Sequence, residues 1–128
     1  MKLLLDTQLL LWAAGEPEKL SKSARTILLD TDNSLLFSPI SLWEIVIKSG
    51  LGRDDFQADA ALLRRSVIDN GYEELPVTGR HAVAVASLPP IHKDPFDRML
   101  IAQAISEGVM LLTTDATVSR YDGPIRRM

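Results

Sequence analysis

Four acidic residues in this sequence stand where apolar segments end or where helices begin, and they could act together. They are Asp6, Glu44, Asp97 and Asp115. Apolar neighbours hold each carboxylate near the core, and carboxylates that gather there repel one another unless a cation lies between them. Their hard oxygen atoms suit magnesium or manganese. The sequence therefore predicts a divalent-metal site of the kind that a metal-dependent nuclease uses.

Two of these acids end predicted strands. Asp6 follows Leu3-Leu4-Leu5, where it could cap the next helix as readily as bind a metal. Asp115 follows the segment 110–114, and a simple turn residue is the alternative there. Neither position identifies a metal site by itself, and only the convergence of all four acids would.

The other two acids belong to predicted helices. Glu44 has apolar neighbours such as Trp43, so we do not expect it to be freely solvated, although a surface pair with Lys48 is the alternative. Asp97 stands three residues after Asp94, and the two resemble a capping box in which Asp97 only complements the helix dipole. The two roles of Asp97 are compatible, because its outward oxygen can still bind a metal.

Short apolar runs alternate with helical patterns along the chain. Strands are predicted at residues 2–5, 35–37, 72–75 and 109–113, with a further one near Ile125. Helices are predicted at residues 8–14, 22–30, 39–48, from Asp54-Asp55 onward, 81–87 with Thr78 at its beginning, and 95–107. Strands that are continuously apolar favour a parallel sheet covered on both faces. Sites in such sheets form beyond the carboxyl ends of the strands, so the four acids can meet there.

The composition is that of an ordinary globular protein, with 46% hydrophobic and 24% charged residues, and the length suits a single domain over residues 1–128. The absence of cysteine excludes disulfides and thiolate chemistry and fits a cytoplasmic protein. The apolar start is too short for a signal peptide, and no apolar run approaches the roughly 20 residues that span a membrane. The net charge of −3 includes the four candidate ligands, so charge neither favours nor excludes RNA as a partner.

Three segments resemble, in type and order, those of PIN domains. The first is Leu3-Leu4-Leu5-Asp6-Thr7, and the second is Ser38-Pro39-Ile40-Ser41-Leu42-Trp43-Glu44-Ile45. The third runs from Asp94-Pro95-Phe96-Asp97-Arg98 to Ala104 and is followed by Leu112-Thr113-Thr114-Asp115. Specifically, the chain looks like a VapC-type ribonuclease toxin of a type II toxin–antitoxin system, and the resemblance covers nearly the whole sequence.

This resemblance implies a three-layer α/β/α fold with a central, mainly parallel sheet of four to five strands. It also implies an endoribonuclease that depends on Mg²⁺ or Mn²⁺, with an RNA substrate and a cognate antitoxin. Asp6, Glu44 and Asp97 match the three core acids of the family, and Asp115 matches the more variable fourth. Asp94 is an extra acid whose role stays open, with a helix cap as the first expectation.

The mechanism expected from the resemblance is hydrolysis by metal-activated water, which would leave a 5′-phosphate and a 3′-hydroxyl. Asp6 and Asp97 would bind the ion directly, and Glu44 would bind it directly or through water. Asp115 would act through water or on a second ion, and the sequence does not decide between one ion and two.

Basic and hydroxyl side chains near the acids are candidates for substrate contacts. Arg98 could bind a phosphate through two hydrogen bonds, and a surface arginine or a partner for Asp94 is an equal alternative. Thr7 and Thr114 could supply hydroxyl groups beside the acids. His92 could touch substrate or could be a solvated loop residue. Further cations that could line an RNA path are Lys48, Arg53, Arg80 and Lys93.

The first predicted helix is apolar nearly all round, with Leu9, Leu10, Leu11 and Trp12 in succession. A small domain cannot easily bury such a helix completely. We therefore expect part of its surface to form a homodimer or to receive an apolar helix of the antitoxin.

Two other functions remain as alternatives. A Mg²⁺-dependent phosphoacceptor signalling domain also gathers acids at a sheet edge, but Gln8 and Thr114-Asp115 stand where its chemistry needs other residues. The second alternative is a non-catalytic module that binds RNA or a protein partner. With only 5% aromatic residues, the chain is poorly supplied for stacking on bases.

Overall fold

Residues 1–52 and 58–128 are described by the computed structural model, in which five strands alternate with helices. The strands are β1 (Lys2–Leu5), β2 (Ser34–Phe37), β3 (Glu73–Glu74), β4 (Met110–Thr113) and β5 (Ile125–Arg127). The helices are α1 (Thr7–Gly15), α2 (Lys22–Leu29), α3 (Pro39–Gly50), α4 (Ala60–Asp69), α5 (Gly79–Ala84) and α6 (Pro95–Glu107). Short 3₁₀ turns lie at Pro17–Lys19, Val85–Ser87 and Val118–Arg120. None of the described helices is long and apolar enough to cross a membrane.

The five described strands form one parallel sheet in the order β3-β2-β1-β4-β5. Leu3 lies beside Leu35 of β2 on one side and beside Met110 of β4 on the other. The direction of winding therefore reverses between β1 and β4, and a crevice opens at such a point beyond the carboxyl ends of the strands. The predicted parallel sheet is confirmed, including the last strand near Ile125.

Successive residues of β1 point to opposite faces of the sheet and into two separate cores. Leu3 and Leu5 belong to one core, with buried residues of α1, α2, α3 and α4. Leu4 belongs to the other core, with Leu100 and Ile101 of α6. Leu3 to Leu5 of the central strand are apolar because both faces of the sheet are buried there, and the predicted α/β/α arrangement is confirmed.

Side-chain caps fix where the helices that carry the acids begin. Asp6, Ser38 and Asp94 cap α1, α3 and α6, and proline occupies the first position of α3 and of α6. Gly108 ends α6 at a φ of 67°, a backbone angle that glycine adopts without strain. These signals are local, so the predicted starts of the three helices agree with the structure to within one residue.

Two predicted boundaries need comment. β3 consists of Glu73–Glu74 alone rather than residues 72–75, because only these two residues pair with the end of β2. The predicted start of a helix at Asp54-Asp55 lies outside the described residues. The structure describes α4 from Ala60, with Asp59 as its cap.

Candidate active site

The structure brings the four predicted acids together in a cleft of about 290 Å³ at the carboxyl edge of the sheet. Asp6 follows β1, Glu44 lies in α3, Asp97 lies in the first turn of α6, and Asp115 follows β4. A fifth acid, Asp94, also lines the cleft. The lining residues are Asp6, Thr7, Gln8, Leu11, Glu44, Lys48, Asp94, Asp97, Thr114 and Asp115.

Asp6 joins three elements through its two carboxylate oxygens. Oδ1 accepts the backbone N–H of Leu9 at 2.8 Å, so the residue does cap α1. Oδ2 accepts the hydroxyl of Thr113 at 2.7 Å and the backbone N–H of Thr114 at 3.2 Å. Burial raises the pKa of Asp6, these hydrogen bonds lower it, and the charge of Glu44 raises it further, with a net increase. The cap is compatible with a ligand role, because Oδ1 accepts one hydrogen bond and keeps a second lone pair.

Glu44 is buried, and both of its oxygens are hydrogen-bonded. The Thr7 hydroxyl donates to Oε1 at 2.6 Å, and the Lys48 ammonium donates to Oε2 at 2.5 Å. The pair with Lys48 therefore forms, but it lines the cleft rather than the open surface. The Thr7 hydroxyl also lies 2.9 Å from that of Ser41, so contacts from α1 and α3 together hold the carboxylate in place.

Asp97 turns its carboxylate toward the loop that precedes α6. Oδ2 lies 2.8 Å from Nε2 of His92. The pKa of Asp97 is raised to about 6, first by desolvation and then by the charge of Asp94, while the contact with His92 lowers it. Asp94 caps the helix by accepting the backbone N–H groups of Phe96 at 2.8 Å and Asp97 at 3.2 Å. A nearby cation would favour the charged form of Asp97 that this setting disfavours.

Asp115 lies at the rim, with 39% of its side chain exposed. Oδ1 accepts the backbone N–H groups of Thr117 at 2.7 Å and Val118 at 3.3 Å, so the residue does form the turn named as the alternative. Oδ2 lies 3.8 Å from Nε2 of His92. One imidazole therefore contacts two of the four predicted acids.

Charge in the cleft is strongly unbalanced. Among the described residues that line it, five carboxylates face a single ammonium group, that of Lys48. Burial is the main cause of the raised pKa values of Asp6 and Asp97, and a neighbouring carboxylate, Glu44 for Asp6 and Asp94 for Asp97, raises each pKa further. Carboxylate oxygens in this number are a donor set that Mg²⁺ and Mn²⁺ accept. The residues therefore fit a divalent cation.

Arg98 is not among the residues that line the described cleft, so its phosphate contact stays a prediction. Its guanidinium instead donates to the carbonyls of Pro89 at 3.0 Å and Val85 at 3.2 Å. It also donates to the hydroxyl of Tyr121 at 3.0 Å. These bonds occupy the donors that a phosphate would need, so Arg98 braces the loop before α6.

The other predicted substrate contacts divide into two groups. Thr7, Thr114 and Lys48 line the cleft. Arg80 donates to the carbonyl of Ser106, at the other end of α6. Arg53 lies outside the described residues.

His92 contacts the site, although little in the sequence indicated this. A solvated loop residue was the alternative, yet only 21% of its side chain is exposed, and it contacts Asp97 and Asp115. The available signal was its position five residues before Asp97, since a loop residue so close to a helix start can reach the first turn.

A model of the PIN domain family matches residues 3–124. This chain belongs to the PIN domain family. PIN domains are typically nucleases that use divalent metals, in agreement with the acidic cleft. No curated protein matches the chain in sequence.

Solved VapBC structures contain chains of the same fold. A chain of VapBC2 from Rickettsia felis, bound to a DNA fragment from its promoter, gives a TM-score of 0.71 at 15% identity, over 99% of this chain and 98% of that one. A chain of DNA-bound VapBC from Salmonella typhimurium gives 0.66 at 19% identity, over 99% and 98%. A chain of VapBC-5 from Mycobacterium tuberculosis gives 0.62 at 19% identity, over 99% and 97%. At these identities the likeness establishes the fold alone.

Proposed function

We propose that this PIN domain is a divalent-metal-dependent endoribonuclease and the toxin of a toxin–antitoxin pair. The observation that carries the proposal is the convergence of five carboxylates in one cleft that offers a single ammonium group among its described lining residues. Structural acids are normally paired with cations or spread apart, because gathered charges repel. A cleft that concentrates them is suited to a divalent cation and, through that cation, to a phosphodiester.

Asp6, Glu44 and Asp97 are the carboxylates that would hold the cation. Asp115 is more exposed and would act through water or on a second ion. When bound, a divalent cation lowers the pKa of water and offsets the charge of a phosphate. The protein's own part is to hold these oxygens in one place before the substrate arrives.

Hydroxyl groups perform that positioning. Thr7 donates to Oε1 of Glu44, and Thr113 donates to Oδ2 of Asp6. Lys48 is the cationic side chain among the described residues that line the cleft. Once a metal ion balances the charge of Glu44, the Lys48 ammonium would be free to bind a phosphate. The contacts of Thr7 and Thr113 each join different elements, so the site depends on the assembled fold.

The assay for this function uses purified protein, structured RNAs, and Mg²⁺ or Mn²⁺ followed by excess chelator. We expect cleavage that requires the metal and that falls by about tenfold to a hundredfold or more in Asp6→Asn and in Asp97→Asn. Asp122→Asn, at an exposed position outside the cleft, is the matched control and should cleave normally. Metal-dependent cleavage that persists unchanged in both variants would overturn the proposal.

The end groups of the products test the nucleophile. Hydrolysis by water leaves a 5′-phosphate and a 3′-hydroxyl, whereas attack by the ribose 2′-hydroxyl leaves a cyclic phosphate. We therefore expect cleavage at positions where the 2′-hydroxyl has been methylated. RNA binding without cleavage would favour the non-catalytic alternative, and stable phosphorylation by acetyl phosphate would favour the signalling alternative.

An antitoxin partner is supported by the fold shared with chains of VapBC complexes. A second groove, of about 560 Å³, lies where α1 ends, and its apolar lining includes Ala13, Leu20, Leu28 and Leu29. Such a groove suits the apolar face of a helix. A small protein encoded beside this gene should copurify with the chain, and Leu29→Lys, at a side chain that is 79% exposed, should weaken the complex. An unchanged complex would exclude this groove as the docking site.

A further inference from the structure

His92 lies beside the cleft and forms a group of potential metal ligands with Asp94 and Asp97, which line it. One ligand atom each from His92, Asp94 and Asp97 can be chosen so that all lie within 4.8 Å of one another. Nε2 of His92 lies 2.8 Å from Asp97 and 3.8 Å from Asp115. Asp94 uses Oδ1 to cap α6, which leaves Oδ2 for another partner. A cation among these groups would meet one nitrogen as well as oxygen atoms.

The loop that carries His92 is held in place by a buried clamp. The backbone N–H of His92 donates to the hydroxyl of Tyr121 at 2.8 Å, and Tyr121 is only 4% exposed. Arg98 donates to the same hydroxyl at 3.0 Å and to the carbonyl of His92 at 3.4 Å. Further bonds from Arg98 to the carbonyls of Val85 and Pro89 fix the approach of the loop. The backbone of His92, to which the imidazole is attached, is therefore held in a fixed position relative to Asp97.

We infer that His92 is a nitrogen ligand of the divalent cation, beside Asp94 and Asp97, and that this mixed site prefers Mn²⁺ to Mg²⁺. The inference rests on the proposed function, since it concerns the cation of that site. Imidazole nitrogen suits transition metals, whereas Mg²⁺ takes oxygen ligands and keeps much of its water. Ligation uses the tautomer with the proton on Nδ1, which leaves the lone pair of Nε2 for the cation.

A different role for His92 would be to orient Asp97 by hydrogen bonding alone. In that case, the cation would be held by oxygen atoms only, and any side chain that donates to Asp97 could replace the imidazole. His92→Gln separates the two roles, because an amide can still donate to Asp97 but cannot supply an imidazole nitrogen. We expect this variant to keep the structure of the surrounding residues, because His92 lies in a loop and its side chain is not fully buried.

Pulsed EPR of Mn²⁺ bound to the full chain tests the inference directly, because a nitrogen ligand couples to the electron spin. We expect nitrogen coupling in the wild type, its loss in His92→Gln, and its retention in Lys93→Ala, the control in the same loop. The chain's other histidine, His81, is not an alternative source, because it is buried and bonded to Thr78 and Glu107. Titrations should show that His92→Gln weakens Mn²⁺ binding by about tenfold or more and Mg²⁺ binding by less than about threefold.

Mn²⁺ that binds the wild type without nitrogen coupling would overturn the inference and leave the ribonuclease proposal standing. Equal losses of Mn²⁺ and Mg²⁺ affinity in His92→Gln, or no loss, would also overturn it. If the wild type binds no Mn²⁺ at all, or if Asp97→Asn binds it as tightly, both the inference and the proposed function fail.

Discussion

The carboxylate of Asp97 is expected to reduce the stability of the fold on which its function depends. Its pKa of about 6, against an ordinary 3.8, means that the folded chain binds this proton more tightly than the unfolded chain does. Stability from this group is therefore fully present below about pH 4 and is lost as the pH rises through about 6. We expect Asp97→Asn to raise the free energy of unfolding at pH 7 by on the order of 1–3 kcal/mol, measured with urea in the presence of chelator.

The pH and metal dependence of the same variant provide its controls. The advantage of Asp97→Asn should shrink below about pH 4, because the wild-type carboxyl is then protonated. Mg²⁺ or Mn²⁺ should stabilise the wild type more than the variant, because binding to the folded state alone raises stability. Asp122→Asn should change neither quantity. A variant that is less stable than the wild type at pH 7 in chelator would show that the charged carboxylate is not disfavoured.

Replacing Lys48 tests whether a divalent cation can balance the negative charge of Glu44 in its place. Lys48→Ala leaves a buried carboxylate without its ammonium partner, so we expect a loss of about 1–2 kcal/mol in chelator, measured by thermal unfolding. A divalent cation should recover most of that loss. Lys22→Ala, at an exposed position of α2, is the control and should have little effect. A deficit that metal does not reduce would argue against Glu44 as a ligand.

The acids of the site and two of their contacts, from Thr7 and Lys48 to Glu44, could be predicted from the sequence, but the arrangement of His92 and Arg98 could not. Asp6 and Asp94 cap helices, and a cap depends on residues only two or three positions away. His92 and Arg98 depend on Tyr121, which lies 29 residues beyond His92. The direction of a loop side chain is set by such distant partners, so a single sequence does not determine it.

The cap of α1 links this helix to β4, so its loss should affect both elements. Asp6→Asn keeps a side chain that caps well, whereas Asp6→Ala removes the acceptor for Leu9 and leaves the buried hydroxyl of Thr113 without its partner. We expect Asp6→Ala to be less stable than Asp6→Asn by about 1–2 kcal/mol, measured by thermal unfolding in chelator. Asp59→Ala, which removes the exposed cap of α4, should cost less. Equal stability of the two Asp6 variants would contradict the structural role of the cap.

The central strands could be predicted from the sequence, whereas the bounds of β3 and α5 could not be predicted from local patterns alone. β1, β2 and β4 are apolar because they lie between two layers, but Glu73–Glu74 lies at the sheet edge, where burial does not dictate composition. α5 starts at Gly79 with the predicted Thr78 as its cap, and His81 completes a capping box by accepting the backbone N–H of Thr78. The predicted end at Ser87 differs, because α5 ends at Ala84 and Val85–Ser87 form a 3₁₀ turn.

Exposed large apolar side chains of the described residues lie on several helices, and α3 carries three of them, Trp43, Val46 and Ile47. As predicted, α1 is not completely buried: Leu9 and Leu10 are at most 1% exposed, because α1 packs on the sheet with α3 and α4 beside it, whereas Leu11 and Trp12 are half-buried. Trp43 and Val46 of α3 are 57% and 56% exposed. Apolar side chains that are grouped in this way commonly mark contacts between proteins.

The predicted homodimer is therefore expected to involve α3. Light scattering should give the mass of a dimer for the wild type and of a monomer for Val46→Lys, because a buried ammonium is costly at an interface. Val83→Lys, at a side chain of α5 that is 75% exposed, is the control and should remain dimeric. A monomeric wild type would contradict the homodimer, and a dimeric Val46→Lys would exclude this face.

The hydrogen bond between Thr113 and Asp6 joins residues that are 107 positions apart in the chain. During synthesis on a ribosome, Asp6 emerges among the first residues, but its partner strand emerges near the end. A nascent chain consequently lacks the cleft until most of translation is complete, and we expect a product that stops before β4 to lack the proposed ribonuclease activity. If that activity requires the cleft, the topology delays its appearance until synthesis is nearly finished.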